Sequence, residues 1–119
     1  MSTDQPRTIA PEDLPEAVTG FLTAHQAHDV ATALGFLRPD ATVTDEGETH
    51  RGAPAIEAWM TRTAGEYTYT TELVGAQQVD ADRYVATHHL EGDFPGGVVD
   101  LHYRFRLGGG LIEDLRIEP

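Results

Sequence analysis

Moving a proton needs a carboxylate or an imidazole held beside apolar surface, and this chain offers three such side chains. Asp45 follows the β-branched pair Thr42-Val43, which suits a strand, and precedes the turn-forming run Glu46-Gly47-Glu48. Gly52 and Pro54 then open a helix in which Ile56, Trp59 and Met60 fall at i, i+3 and i+4. That stripe brings an indole within reach of the aspartate. His25 lies on the apolar stripe of an earlier helix, in step with Leu14, Val18, Phe21 and Leu22, and His89 lies on a later strand. Beside apolar surface a carboxylate holds its proton more readily than in water, and imidazole titrates near neutrality. Asp45, His25 and His89 are therefore a candidate acid–base set. Each also has a plainer reading: Asp45 as the cap of the Thr44–Gly47 turn, each histidine as a hydrogen-bonded or surface group. His88 and His89 are adjacent on one strand, so at most one of them faces a pocket. His25 and His28 stand at i, i+3 and do not form a metal-binding HExxH, so no metal site is expected.

The elements that must position these groups follow from the periodicities. A first helix is predicted over Pro11–His28, with Glu12 and Asp13 at its positive end. A second, Asp29–Leu37, is predicted to stop at Pro39. After the Trp59 helix the period changes from 3.6 to 2. Strands are predicted over Tyr67–Val79, Arg83–Glu91, Val98–Leu107 and Leu111–Ile117, broken by Asp80-Ala81-Asp82, by the loop Gly92–Gly97 and by Gly108-Gly109-Gly110. In the third of these, Leu101, Tyr103, Phe105 and Leu107 alternate with Asp100, His102, Arg104 and Arg106, which places the two arginines on an outer sheet surface. Three helices and an antiparallel sheet make an α+β domain. It is expected to span residues 11–119, after a polar, flexible stretch over residues 1–10.

Composition narrows the partners. Twenty acidic residues against eight basic ones give a formal charge of −12, which repels phosphate backbones and anionic membranes. No apolar run approaches the roughly 20 residues that cross a bilayer. The absence of cysteine excludes disulfides, thiolate catalysis and thiolate-bound zinc. A cytoplasmic protein is expected, with no nucleic-acid or membrane partner.

The segments HQAHDVATALGFLRPDATVTD, RGAPAIEAWM and YRFRLGGGLIEDLRI, in that order, resemble the nuclear transport factor 2-like superfamily, which includes ketosteroid isomerase and the SnoaL-like polyketide cyclases. The resemblance implies a cone-shaped α+β barrel with a mostly apolar cavity, no cofactor, and a homodimer formed through the outer face of the sheet. It places Asp45 at the isomerase's proton-shuttling aspartate and Trp59 at a pocket-lining aromatic. Phe21 stands where the isomerase has its oxyanion tyrosine, and the second oxyanion donor falls near Leu101 or His102. A true steroid isomerase is therefore not expected. Phe21, Trp59, Met60, Leu101 and Tyr103 are the expected contacts for a small hydrophobic molecule. Two functions follow: cofactor-independent acid–base catalysis on a small carbonyl or polyketide-like compound, or a non-catalytic ligand-binding or dimeric assembly module with a vestigial pocket.

Overall fold

The computed structural model describes residues 6–64, 66 and 68–119. A seven-stranded sheet carries three helices. In chain order the elements are β1 (Arg7–Thr8), a 3₁₀ turn (Pro11–Asp13), α1 (Glu16–Gln26), α2 (Val30–Leu34), β2 (Leu37–Asp45), β3 (Glu48–Arg51), α3 (Ala53–Ala64), β4 (Tyr69–Gln78), β5 (Arg83–Gly92), β6 (Val98–Gly108) and β7 (Leu111–Glu118). The sheet order is β1-β4-β5-β6-β7-β2-β3, antiparallel throughout except where β2 runs parallel to β7. The sheet is strongly curved but not closed, and its concave face holds the helices, an α+β cone.

The core forms where the helix stripes meet that concave face. Val18 and Phe21 of α1, Ile56, Trp59 and Met60 of α3, and Val43, Phe105, Ile112 and Leu115 of the sheet are all buried in one cluster. Each such side chain is worth about 1.5–3 kcal/mol of burial. Gly20 has a steric reason to lie on α1: the Phe36 ring rests against it and leaves no room for a Cβ.

Three sequence expectations need correction. The helix predicted over Pro11–His28 divides into a 3₁₀ turn and α1, because Pro15 stands at the helical N-cap. The second helix ends at Leu34, not at Leu37. Its N-terminus is held by Asp29, whose Oδ1 accepts from the Thr32 N–H at 3.3 Å. Pro39 instead lies inside β2, where the β2–β7 register shifts between Leu37 and Thr42 and an unavailable N–H does not break a ladder. Of the polar N-terminus, residues 1–5 lie outside the described residues, but Arg7 and Thr8 pair with Gln78 and Gln77 as an edge strand. Tyr67, predicted to start a strand, is also outside the described residues. The strand begins at Tyr69.

Candidate functional site

Asp45 closes β2 at a two-residue turn. Glu46 and Gly47 have φ of 53° and 80°, the paired left-handed conformation that reverses a hairpin tightly. β3 then runs back along β2, with His50 opposite Val43. α3 starts immediately afterwards and packs against β2 and β3, so the indole of Trp59 reaches the end of β2. Its Nε1–H donates to Asp45 Oδ2 at 3.1 Å. This bond fixes both the carboxylate and the ring.

Trp59 is also the middle of a stack. The His25 ring lies 5.4 Å from it and nearly parallel, with Phe21 5.5 Å beyond, and His50 stacks on the other indole face at 6.0 Å. Burial in this column, with smaller contributions from His28 and His88, lowers the His25 pKa to about 4. At neutral pH His25 is therefore an uncharged imidazole. It can donate or accept a hydrogen bond, but it supplies no cation.

His25 and Trp59 of this column form part of the wall of a cavity of about 890 Å³. His25, Asp45, Trp59, Tyr69, Leu90, Leu101 and Tyr103 line it, with Phe94 and Pro95 from the β5–β6 loop. Tyr103 projects from the concave face of β6, buried, and its ring lies 5.0 Å from that of His88. Burial chiefly, then the charges of Tyr69 and Asp45, pushes its phenol well above the usual tyrosine range. Tyr69 is raised by burial and by Asp45. Both hydroxyls thus stay protonated at neutral pH and can donate.

Of the residues expected to contact a ligand, Trp59, Leu101 and Tyr103 line the cavity, as do Asp45 and His25. Phe21 and Met60 do not. They lie beneath the wall as packed core, and Phe21 meets Phe105 edge-on at 6.1 Å. His89 is placed away from the site altogether. It points to the convex face, where Nδ1 meets Asp100 Oδ1 at 2.6 Å and Nε2 meets Glu91 Oε2 at 2.8 Å. The physical reason is the β5–β6 register, which sets His88 opposite Leu101 and His89 opposite Asp100. The inward histidine is His88, buried with Nδ1 bonded to Thr71 Oγ1 at 3.1 Å and Gln26 Nε2 at 3.3 Å.

Sequence reasoning missed His50, because β3 reads as part of a polar turn. The signal was present in Thr44 and Thr49 flanking Glu46-Gly47, since their hydroxyls pair across the hairpin at 2.9 Å. Among the described residues no group of three or more His, Asp or Glu side chains is arranged to hold a metal ion. No helix there is long and apolar enough to cross a membrane.

Comparison with known proteins agrees with this architecture. No curated protein matches the chain in sequence. Among solved structures, a candidate polyketide cyclase from Sinorhizobium meliloti superposes with a TM-score of 0.84 at 32% identity, covering 92% of this chain and 100% of that one. A protein of ketosteroid isomerase-like fold from Catenulispora acidiphila, solved with trimethylamine, gives 0.75 at 20% identity, covering 88% and 85%. A Mycobacterium tuberculosis protein solved with estradiol-17beta-hemisuccinate gives 0.70 at 20% identity, covering 87% and 90%. The SnoaL-like domain model matches residues 18–114. The chain belongs to the SnoaL-like domain family.

Proposed function

We propose that this protein catalyses cofactor-independent proton transfer on a small hydrophobic carbonyl or polyketide-like compound bound in the cone. The observation that carries this reading is the Asp45 carboxylate, oriented by the Trp59 indole N–H in a cavity that also presents Tyr103. A base fixed by one hydrogen bond keeps a second oxygen to accept a proton from the carbon beside the carbonyl. The Tyr103 phenol, held protonated, donates to the oxygen as negative charge develops on it. Neutral His25 flanks the indole and leaves the base without a competing cation. Removal of that proton is the step shared by isomerases, cyclases and dehydratases; in an isomerisation Asp45 then returns it at another carbon. The S. meliloti neighbour's name points the same way.

The rival reading is a ligand-binding or assembly module without turnover. It is favoured by Phe21, a side chain with no donor, on the helix where the isomerase carries a tyrosine. In either case we infer a cytoplasmic homodimer, associated through the convex face, where Asp100, His102, Arg104 and Arg106 alternate with inward residues along β6.

The test needs no physiological substrate. Exchange of the α-protons of 2-tetralone in deuterium oxide, followed by proton NMR, should be accelerated by the protein. The Asp45→Asn variant should lose at least about a hundredfold of that acceleration, and Tyr103→Phe about ten- to a hundredfold. Binding of the ketone without acceleration would favour the binding module.

A further inference from the structure

Asp45 presents a carboxylate to the cavity with no ion-pair partner among the described residues. Its described partner is the Trp59 N–H, a neutral donor, and among the described residues no cationic side chain lies within ion-pair distance of it. The neighbouring imidazole of His25 is uncharged at neutral pH. A half-buried carboxylate without a counter-charge has lost part of its hydration with no compensating attraction. Around it the walls are aromatic: Trp59, Tyr69 and Tyr103 line the same space, and Phe94 stands edge-on to Tyr69 at 6.5 Å. Aromatic faces carry negative potential and attract cations, most strongly when water is excluded. Of the other charged residues that line the cavity, Glu46 and Glu66 stand against one arginine, Arg116, while Glu118 is tied to Arg104. The surrounding field has the same sign, since the whole chain carries −12.

From this we infer that the cavity binds compounds bearing a quaternary or protonated ammonium group on an apolar body, with the positive charge seated between Asp45 and the rings of Tyr69 and Tyr103. A neutral apolar ligand fills the same volume but leaves the carboxylate unpaired. An anion is opposed both by Asp45 and by the surrounding field. The inference shares its cavity and Asp45 with the proposed reaction but not the proton transfer. An ammonium group on Asp45 occupies the base, so such compounds compete with a carbonyl substrate.

A matched pair of probes isolates the charge. (3-Hydroxyphenyl)trimethylammonium and 3-tert-butylphenol have the same shape and differ by a nitrogen cation in place of a carbon. Trp59 is the sole tryptophan, so its fluorescence excited at the red edge reports occupancy of the cavity alone. At pH 7 the ammonium compound should bind at least about tenfold more tightly than its neutral twin. Asp45→Asn should bring the two within about twofold, without weakening 3-tert-butylphenol. Tyr69→Leu keeps the carboxylate and removes one aromatic face, so it should weaken the ammonium compound alone; this second variant decides the matter if Asp45→Asn does not fold. Equal affinities in the natural protein, a preference that survives Asp45→Asn, or no binding of either probe would overturn the inference. None of these outcomes depends on whether 2-tetralone exchange is catalysed.

Discussion

His88 and His89 are neighbours on one strand, yet they live in opposite chemistries. His88 points into the cone, buried, and its pKa is lowered by that burial. His89 points outward, and its hydrogen bonds to Asp100 and then to Glu91 raise its pKa. The same contrast extends across the sheet. The concave face gathers Trp59, Tyr103, His25 and one oriented carboxylate into a largely apolar space. The convex face ties its charges into local pairs, such as Arg104 with Glu118 at 2.9 Å. The lesson is that residue type does not settle chemistry in this chain, whereas the face of the strand does. An imidazole in water between carboxylates is a surface ion-pair partner. An imidazole between aromatic rings is a neutral hydrogen-bonding group in an apolar wall.

The sharpest way to break the contrast is to remove the centre of the concave wall. Trp59→Ala deletes a side chain only 2% exposed, its bond to Asp45 and the middle of the four-ring stack. It should cost about 3–5 kcal/mol in urea melts. A loss below about 1 kcal/mol would mean that the wall is not packed as described.

Acid should separate the faces next. A histidine whose folded pKa lies below 6.5 resists protonation when folded, so the unfolded chain binds more protons and stability falls as pH drops. For His25 this window runs from about pH 6.5 down to about 4, with a slope of up to about 1.4 kcal/mol per pH unit. His25→Phe keeps a ring between Phe21 and Trp59 and cannot titrate, so its stability should depend less on pH in that window. Identical slopes in the variant and the natural protein would place His25 in water. His89 has the opposite sign: its contribution is complete below pH 6.5 and is lost as pH rises through its raised folded pKa. Because His89 is exposed, His89→Ala should leave the melting midpoint nearly unchanged.

The smallest effect concerns the convex face itself. If it is the dimer interface, light scattering at micromolar concentration should give about twice the 13.0 kDa chain mass. A monomer there would leave the convex face with surface pairing only.

Much of this was legible in the sequence, because periodicity records burial. The α3 stripe at Ile56, Trp59 and Met60 and the alternation along β6 both gave the correct inward residues. His88 was readable too, since it shares its parity with Ala86 and Leu90, while His89 shares that of Thr87 and Glu91. What escaped is non-local or conformational. β1 exists by pairing with Gln77 and Gln78, some seventy residues away, and nothing in Arg7-Thr8 itself announces a strand. Pro39 looks like a helix stop and is tolerated in β2 only because of a register shift against β7. Phe21 and Met60 have the pattern of wall residues, but which layer of a stripe reaches the cavity depends on how closely α1 and α3 approach the sheet.

The central claim is that Asp45 and Trp59 form one unit facing a ligand cavity, and the single indole offers a direct view of it. A nitrogen-15 correlation spectrum contains one indole N–H signal, that of Trp59. Titrating 2-naphthol, an enol-shaped analogue of 2-tetralone, should move that signal saturably. In Asp45→Asn the signal should start from a different position, because its acceptor has changed from a carboxylate to an amide. An indole signal indifferent both to 2-naphthol and to Asp45→Asn would contradict the hydrogen bond, the cavity wall and the base built upon them.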